Sequence, residues 1–270
     1  NKSPDYNFVY DQTIGYGELA CTTIISHYLN YKEIKNNWLD ARELIKTNTN
    51  YRNAKVEWNS TQKNIKKAVS LDKLIVTQGF IASDTNNFTT TLGREGSDYS
   101  AAIFAFCLNA KSMTVWKDVP GVLNADPRYF DNASLLNQLS YEEAIELSYY
   151  GASVIHPKTL QPLQRKEIPL YVKSFLNPKQ AGTKIAKNLK LSPNIPCYIL
   201  RENQVLIFVS SLDFSYMVEE NISHIFDLLR LYKMKVNLIQ NSAISFSVCI
   251  ENNFDTLEAV SYTHLTLPTK

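Results

Sequence analysis

Short β-branched runs alternate with segments of helical period along most of the chain. Leu74-Ile75-Val76-Thr77 has the make-up of a buried strand. Residues 112–116 and the shorter Trp38-Leu39-Asp40 read the same way, with Leu170-Tyr171-Val172 as a closing strand. Between them Leu19, Ile25, Tyr28 and Leu29 fit an amphipathic helix starting after Gly17, which would put Glu18 in its first turn. A second helix is predicted over 99–108, where Ala101, Ala102, Ala105 and Leu108 permit close packing on a sheet. Ser140 followed by Glu143 is a capping-box pattern opening a third, which runs toward Gly151, and Pro157 opens a fourth over 158–165. The polar stretch 46–62 reads as a surface excursion and Asp84-Thr85-Asn86-Asn87-Phe88 as a hairpin tip. Such alternation predicts an α/β fold, with ligands gathering beyond the C-terminal ends of the strands.

The pattern changes after the Pro/Gly-containing segment 177–183, taken as a domain boundary. Residues 204–210 are strand-like, and Val218, Ile222, Ile225, Phe226 and Leu229 recur at helical spacing. Residues 236–240 and 244–250 give two more strands joined by Asn241-Ser242. The expected organisation is therefore a domain over 1–186 and a β-α-β-β region over 187–260. Residues 261–270 depart abruptly from what precedes them and are set aside as a non-native tail.

At 270 residues with 44% hydrophobic content the chain can bury a substantial core. A net charge of +2 with dispersed Lys and Arg leaves no basic stripe for nucleic acid. No apolar run approaches the ~18 residues that a membrane span needs. Cys21, Cys107, Cys197 and Cys249 are far apart, mostly in apolar runs, and are expected to be reduced core residues. Neither they nor the four histidines show metal-ligand spacing. A cytoplasmic enzyme fits this composition.

The chemistry concentrates in Thr89-Thr90-Thr91-Leu92-Gly93-Arg94-Glu95-Gly96-Ser97-Asp98-Tyr99-Ser100. Gly93 and Gly96 let the backbone approach a ligand, Ser97 is suited to cap the following helix and Asp98 to its first turn. Free N–H groups at a helix start favour an anion. Arg94 can grip a carboxylate or phosphate in a fork, and Asp98 offers a negative charge to an ammonium or a metal-bound phosphate. The segment matches neither a P-loop nor a dinucleotide fingerprint, and a capped loop of ordinary kind has the same composition.

The order of residues carries more. TTTLGREGSDYSA resembles the substrate loop of the aspartokinases, members of the amino acid kinase family. Val76-Thr77-Gln78-Gly79-Phe80-Ile81 lies upstream. Asp118-Val119-Pro120-Gly121-Val122, Ala125-Asp126-Pro127-Arg128, Leu139-Ser140-Tyr141-Glu142-Glu143-Ala144 and Gly151-Ala152-Ser153-Val154-Ile155-His156-Pro157 follow in the family's order. The resemblance covers residues 10–260. It implies a three-layer αβα sandwich of the amino acid kinase type with a C-terminal ferredoxin-like βαββ ACT region. It also implies that the chain lacks the lysine-and-glycine strand-loop that opens the family's kinase domain, so that it begins within an internal loop and ends before the ACT region is complete. In that form it is expected to be inactive.

What the resemblance implies for function is aspartate kinase: ATP-dependent phosphorylation of the L-aspartate β-carboxylate, opening lysine, threonine and methionine biosynthesis. Glu18, Phe80, Arg94, Glu95, Gly96 and Ser97 fall at substrate positions, with Asp98 catalytic. Lys117, Asp118, Leu123, Asp126, Arg128, Ser153 and Val154 fall on the nucleotide side, with ATP and Mg²⁺ as cofactors. His156 is read as a packed structural residue. Asn237, Gln240, Asn241 and Ser242 fall where ACT modules hold an amino-acid effector, lysine or threonine, at a homodimer interface. Three positions depart from the commoner pattern: Lys117 for Thr, Leu123 for Tyr and Ser153 for Lys. Lys117 could return the positive charge lost at Ser153. Two alternatives stay open: a sister kinase acting on glutamate, acetylglutamate or a nucleoside monophosphate, and a non-catalytic amino-acid-sensing subunit.

Overall fold

The computed structural model describes residues 5–70, 72–150, 154–210, 216–232 and 234–251. Its contacts divide the chain into two compact units, Asn1–Ile199 and Leu200–Lys270.

The first unit opens with helix α1, Tyr6–Tyr31, capped by the Asp5 carboxylate. It is more than twice as long as the 19–29 helix predicted, so Gly17 and Glu18 lie in mid-helix rather than in a first turn. The inward face also differs from expectation. Ile25 and Tyr28 are exposed, whereas Asp11, Gly15 and Ser26 are buried. The reason is that α1 docks largely through hydrogen bonds, with Phe8 adding edge-to-face contacts to Tyr51 and Phe88. Gln12 bonds both the C=O and the N–H of Thr89, and Ser26 Oγ donates to Asn36 Oδ1.

Strand β1 (Asn36–Leu39) pairs in parallel with β2 (Leu74–Thr77), joined through helices α2 (Ala41–Leu44) and α3 (Trp58–Ala68). The stretch read as a surface excursion is partly interior. Thr47 and Thr61 are fully buried, and α3 starts inside it, because Thr61 Oγ1 accepts the Lys46 N–H and holds the helix on the chain's preceding turn. Strands β3 (Ile81–Ser83) and β4 (Thr89–Thr91) form the expected hairpin, its tip organised by Asp84 Oδ1 accepting the N–H groups of Asn86 and Phe88.

Helix α4, Gly96–Leu108, begins three residues before the predicted start. Ala102 and Ala105 enter one apolar cluster while Ile103 and Cys107 enter another. Small residues make this two-sided burial possible, although Ala101 faces solvent. Beyond it runs a four-stranded sheet ordered β5-β7-β8-β6, from β5 (Met113–Lys117), β6 (Gln138–Leu139), β7 (Leu170–Ser174) and β8 (Thr183–Ile185). The strand expected to close the sheet, β7, is interior to it, parallel to β5 and antiparallel to β8. Segment 177–183 is thus the connection between two paired strands and not a domain boundary. Residues 187–199 also belong to this unit, through Asn137 N–H to Ser192 C=O and Tyr198 N–H to Asn124 C=O, both at 2.7 Å.

Helices α5 (Tyr141–Tyr150) and α6 (Pro157–Arg165) complete the unit. The capping box at α5 forms in both directions: Ser140 N–H donates to Glu143 Oε2, and Glu143 N–H to Ser140 Oγ. Of the cysteines, Cys107 is buried, its thiol pushed up to about 11 by desolvation. Cys21 is exposed on α1, contrary to its reading as core.

The second unit has β9 (Gln204–Ser210), α7 (Glu219–Leu231), β10 (Val236–Asn241) and β11 (Ser245–Glu251) in antiparallel order β10-β11-β9. Alternation along β11 buries Phe246, Val248 and Ile250 with Leu229 and Met234. Residues 261–270 lie outside the described residues.

Tyr141 is fully buried, and its hydroxyl donates to the Ile168 carbonyl at 2.5 Å. Replacing it with Phe should leave that carbonyl unpaired and destabilise the unit by about 1 to 3 kcal/mol. Urea unfolding would register this as a lower midpoint with unchanged slope.

Candidate functional site

The end of β2, the β3-β4 hairpin and the start of α4 meet in an interlock that leaves no room for side chains. A Cβ on Gly79 would lie 2.7 Å from Ser97 Cβ, and one on Gly96 would lie 2.7 Å from Phe80 Cδ2. Phe80 adopts φ 69°, with its N–H held by Ser100 Oγ at 2.9 Å, and that hydroxyl in turn donates to the Gly96 carbonyl. Glu95, also left-handed at φ 54°, is the residue that precedes α4. Ser97 therefore sits inside the first turn and is not the cap that the sequence suggested. Its N–H is instead one of the helix-start donors that remain for a ligand.

Above this seat is a cleft of about 360 Å³. It gathers Glu18 from α1, Phe80, and Arg94, Glu95, Gly96 and Ser97 from the loop, which are the residues expected on the substrate side. Gly93, singled out for close backbone approach, lines it as well, and so do Tyr10, Arg52 and Thr91, which were not anticipated. Tyr10 lay in a segment read as loop and Arg52 in one read as excursion. Thr91 alone carried a signal, since it belongs to the hydroxyl run that opens the loop. Glu18 is positioned by hydrogen bonds behind it: its carbonyl accepts from Thr22 Oγ1, which also accepts from Trp38 Nε1 and Gln78 Nε2. Gln78 is buried at the end of β2 and its Oε1 takes the Ala41 N–H at 2.8 Å.

Lys117, the last residue of β5, reaches Asp98 in the first turn of α4, Nζ to Oδ2 2.9 Å, with both side chains largely buried. The contact is an ion pair without hydrogen-bond alignment, and Oδ2 itself is shielded from solvent. Among the described residues, neither this pair nor any other residue assigned to a nucleotide lines the cleft. Asp118 is exposed in the turn after β5, and Leu123 bridges to Leu135. Asp126 and Arg128 pair with each other at 2.6 Å, which holds the Asp126 carboxyl below its usual range. Val154 packs against the cluster of α5 and α6, and Ser153 lies outside the described residues.

His156 is the N-cap of α6: Nδ1 accepts the Lys158 N–H at 3.1 Å. In the second unit Asn237 accepts from Arg201 and donates to Gln204 Oε1 at 2.5 Å. Gln240, Asn241 and Ser242 are exposed at the β10-β11 connection, where the Ser242 N–H bonds the Ser245 carbonyl.

Comparison with known proteins gives this geometry a context. Residues 3–174 match the amino acid kinase family. The lysine-sensitive aspartokinase 3 of Escherichia coli is 32% identical over 251 residues, covering 91% of this chain and 55% of that protein. The chloroplastic bifunctional aspartokinase/homoserine dehydrogenase 2 of Arabidopsis thaliana is 34% identical over 260 residues, 93% of this chain and 28% of that one. The chain thus spans about half the length of the first and under a third of the second. Among solved structures, E. coli aspartokinase III in complex with aspartate and ADP superimposes with TM-score 0.78 at 30% identity, over 94% of this chain and 59% of that chain. The aspartate kinase of Clostridium acetobutylicum gives 0.77 at 27% identity, over 91% and 55%.

Desolvation holds the His156 pKa below its ordinary 6.5, outweighing the neighbouring Glu95 charge. For a base, a depressed pKa means that between the folded value and 6.5 the unfolded chain binds more protons, so stability falls as pH drops through that window. Protonation also removes the Nδ1 acceptor that caps α6. Denaturation measured from about pH 7.5 down to about pH 5.5 should show this loss. His156→Asn, which caps without titrating, should flatten it.

Proposed function

The chain belongs to the amino acid kinase family, and we propose that it acts as an aspartate kinase, transferring the ATP γ-phosphoryl group to the β-carboxylate of L-aspartate to give 4-phospho-L-aspartate and ADP. The observation that carries this reading is the cleft itself. Arg94 and Glu18, one of its two guanidinium groups and one of its two carboxylates, line it together, beside an aromatic wall, Phe80, and the start of α4. An amino acid carries the complementary pair, a carboxylate for Arg94 and an ammonium for Glu18. Similarity to an enzyme captured with aspartate and ADP supports the same reading.

The chemistry asks for positioning and charge neutralisation rather than for a protein nucleophile. An aspartate β-carboxylate is ionised at neutral pH and needs no general base. Ser97 and the N–H groups of the first turn of α4 orient the substrate, and Glu95 closes the loop side. On the nucleotide side, Lys117 supplies a positive charge to the phosphates, held in place by Asp98. Asp118, Leu123, Asp126, Arg128, Ser153 and Val154 would flank the nucleotide. Mg²⁺ takes few protein carboxylates when it is carried on phosphates, and the carboxylates near the end of β5, Asp98 and the exposed Asp118, are the ones that would hold it. Bound there, the cation would offset charge on the transferring phosphoryl group.

The β-α-β-β unit is proposed to be an ACT-type sensor, with Asn237, Gln240, Asn241 and Ser242 toward an amino-acid effector and a homodimer formed through it. The relatives named for lysine sensitivity and captured with lysine make lysine the first effector to test, ahead of threonine. A cytoplasmic biosynthetic role feeding lysine, threonine and methionine follows from this reading. No helix among the described residues is long and apolar enough to cross a membrane.

Aspartate-dependent ADP release by the intact protein is the test, with glutamate as control. Aspartate should be turned over and glutamate not, and Arg94→Ala should reduce kcat/KM by about 10² or more. Saturable lysine or threonine binding with no turnover would instead favour a sensing subunit. A second expectation concerns Lys117. Changing it to Met should lower turnover by about 10², with the defect appearing at saturating aspartate. Unchanged ATP kinetics would remove Lys117 from the phosphate site.

A further inference from the structure

The cleft holds a second guanidinium that the foregoing chemistry does not use. Arg52 lines it beside the loop that carries Arg94, and several independent features fix its backbone there. Its backbone is left-handed, φ 67°, an unfavourable state for a residue with a side chain and one that surrounding contacts must enforce. Its N–H donates to Asp11 Oδ2 at 2.8 Å. Asp11 is fully buried and also accepts the N–H and hydroxyl of Thr91, both at 2.9 Å. The Arg52 carbonyl and the Asn53 side chain press on Gly93, where a Cβ would approach them to 3.3 and 2.9 Å. The guanidinium lies over the ring of Tyr10, 4.8 Å from its centroid.

Its charge is nevertheless uncommitted. Among the described residues Arg52 forms no salt bridge, and its one side-chain hydrogen bond is a long contact to Asn7 Oδ1 at 3.5 Å. An exposed cation seated over the rings of Tyr10 and Tyr6 at the rim of a cleft, and left without a carboxylate, is arranged to meet an anionic ligand. Arg94 and Glu18 complement the α-carboxylate and ammonium that every amino acid shares. An acidic amino acid brings one carboxylate more. The cleft already contains Glu18 and Glu95, whose charge would repel that group unless another cation offset it.

We infer that Arg52 is a specificity-determining residue of this site: its guanidinium pairs with the side-chain carboxylate of the substrate, so that Arg52 and Arg94 together select a dicarboxylic amino acid over a neutral one. The inference rests on the aspartate reading of the cleft. It adds the residue that distinguishes aspartate from its amide.

Arg52→Gly is the informative variant, because glycine adopts φ 67° without cost and leaves the Asp11 hydrogen bond to the backbone intact. Binding of aspartate and of asparagine to the intact protein would be measured by calorimetry, with KM for ATP as a further readout. Arg52→Gly should weaken aspartate about 10- to 100-fold while leaving asparagine and the KM for ATP unchanged. Arg52→Lys, which restores the charge without the fork, should recover part of the loss. Arg94→Ala should weaken both amino acids alike. Unaltered aspartate affinity in Arg52→Gly, or equal weakening of aspartate and asparagine, would overturn the inference while the kinase reading stands. An unmodified protein that binds no aspartate would overturn the kinase reading itself.

Discussion

A single buried carboxylate ties together three parts of the chain that are far apart in sequence. Asp11 on the long first helix takes hydrogen bonds from Thr91 at the end of the hairpin and from the backbone of Arg52. A charged group with no solvent contact is tolerated only when its lone pairs are filled by donors held in place. The requirement works in both directions. Helix, hairpin and loop must assemble before Asp11 is satisfied, and once it is satisfied none of them can shift without stranding a charge. The walls of the cleft are thereby set by one electrostatic demand.

The floor is set by packing. Gly79 and Gly96 let the end of a strand and the start of a helix approach until the backbone of one meets the side chain of the other. Ser100 then fastens the left-handed Phe80 to the helix. An arrangement this tight fixes the direction of the helix-start N–H groups, and preorganised donors of that kind stabilise developing charge without reorganising. Beside them, the partly buried Lys117 and Asp98 pair balances its own charge.

Local signals were legible in the sequence where local physics decides. The run of β2 formed as a strand, although Leu74 is exposed and the rest of it only half-buried rather than buried as expected. The reciprocal Ser140 and Glu143 cap and the helical spacing of α7 formed as read. So did the hairpin and the grouping of Arg94 to Ser97 beside Phe80 and Glu18. What escaped reading depends on partners distant in sequence. Helix α1 turns a polar face inward because its partners are the hairpin's amides and hydroxyls, so its apolar spacing pointed the wrong way. Thr47 and Thr61 look like surface residues until their mutual neighbours bury them. Segment 177–183 has the composition of a linker, yet β8 follows it into the sheet, since nothing in a turn's composition says whether its flanking strands will pair. Arg52 was invisible for the same reason: its place in the cleft is conferred by Asp11, forty-one positions away.

Helix α4 enters two apolar clusters at once, Ala102 and Ala105 on one side, Ile103 and Cys107 on the other. The two halves of the first unit therefore share a structural member rather than merely touching. A fluctuation that frees one face of the helix strips the other as well, which merges what could have been separate foldons into one cooperative block. The ligand-facing turn is the N-terminal end of that block. Its amides are thus coupled to the opening of the unit as a whole, and the seat of the cleft stays formed for as long as the block does.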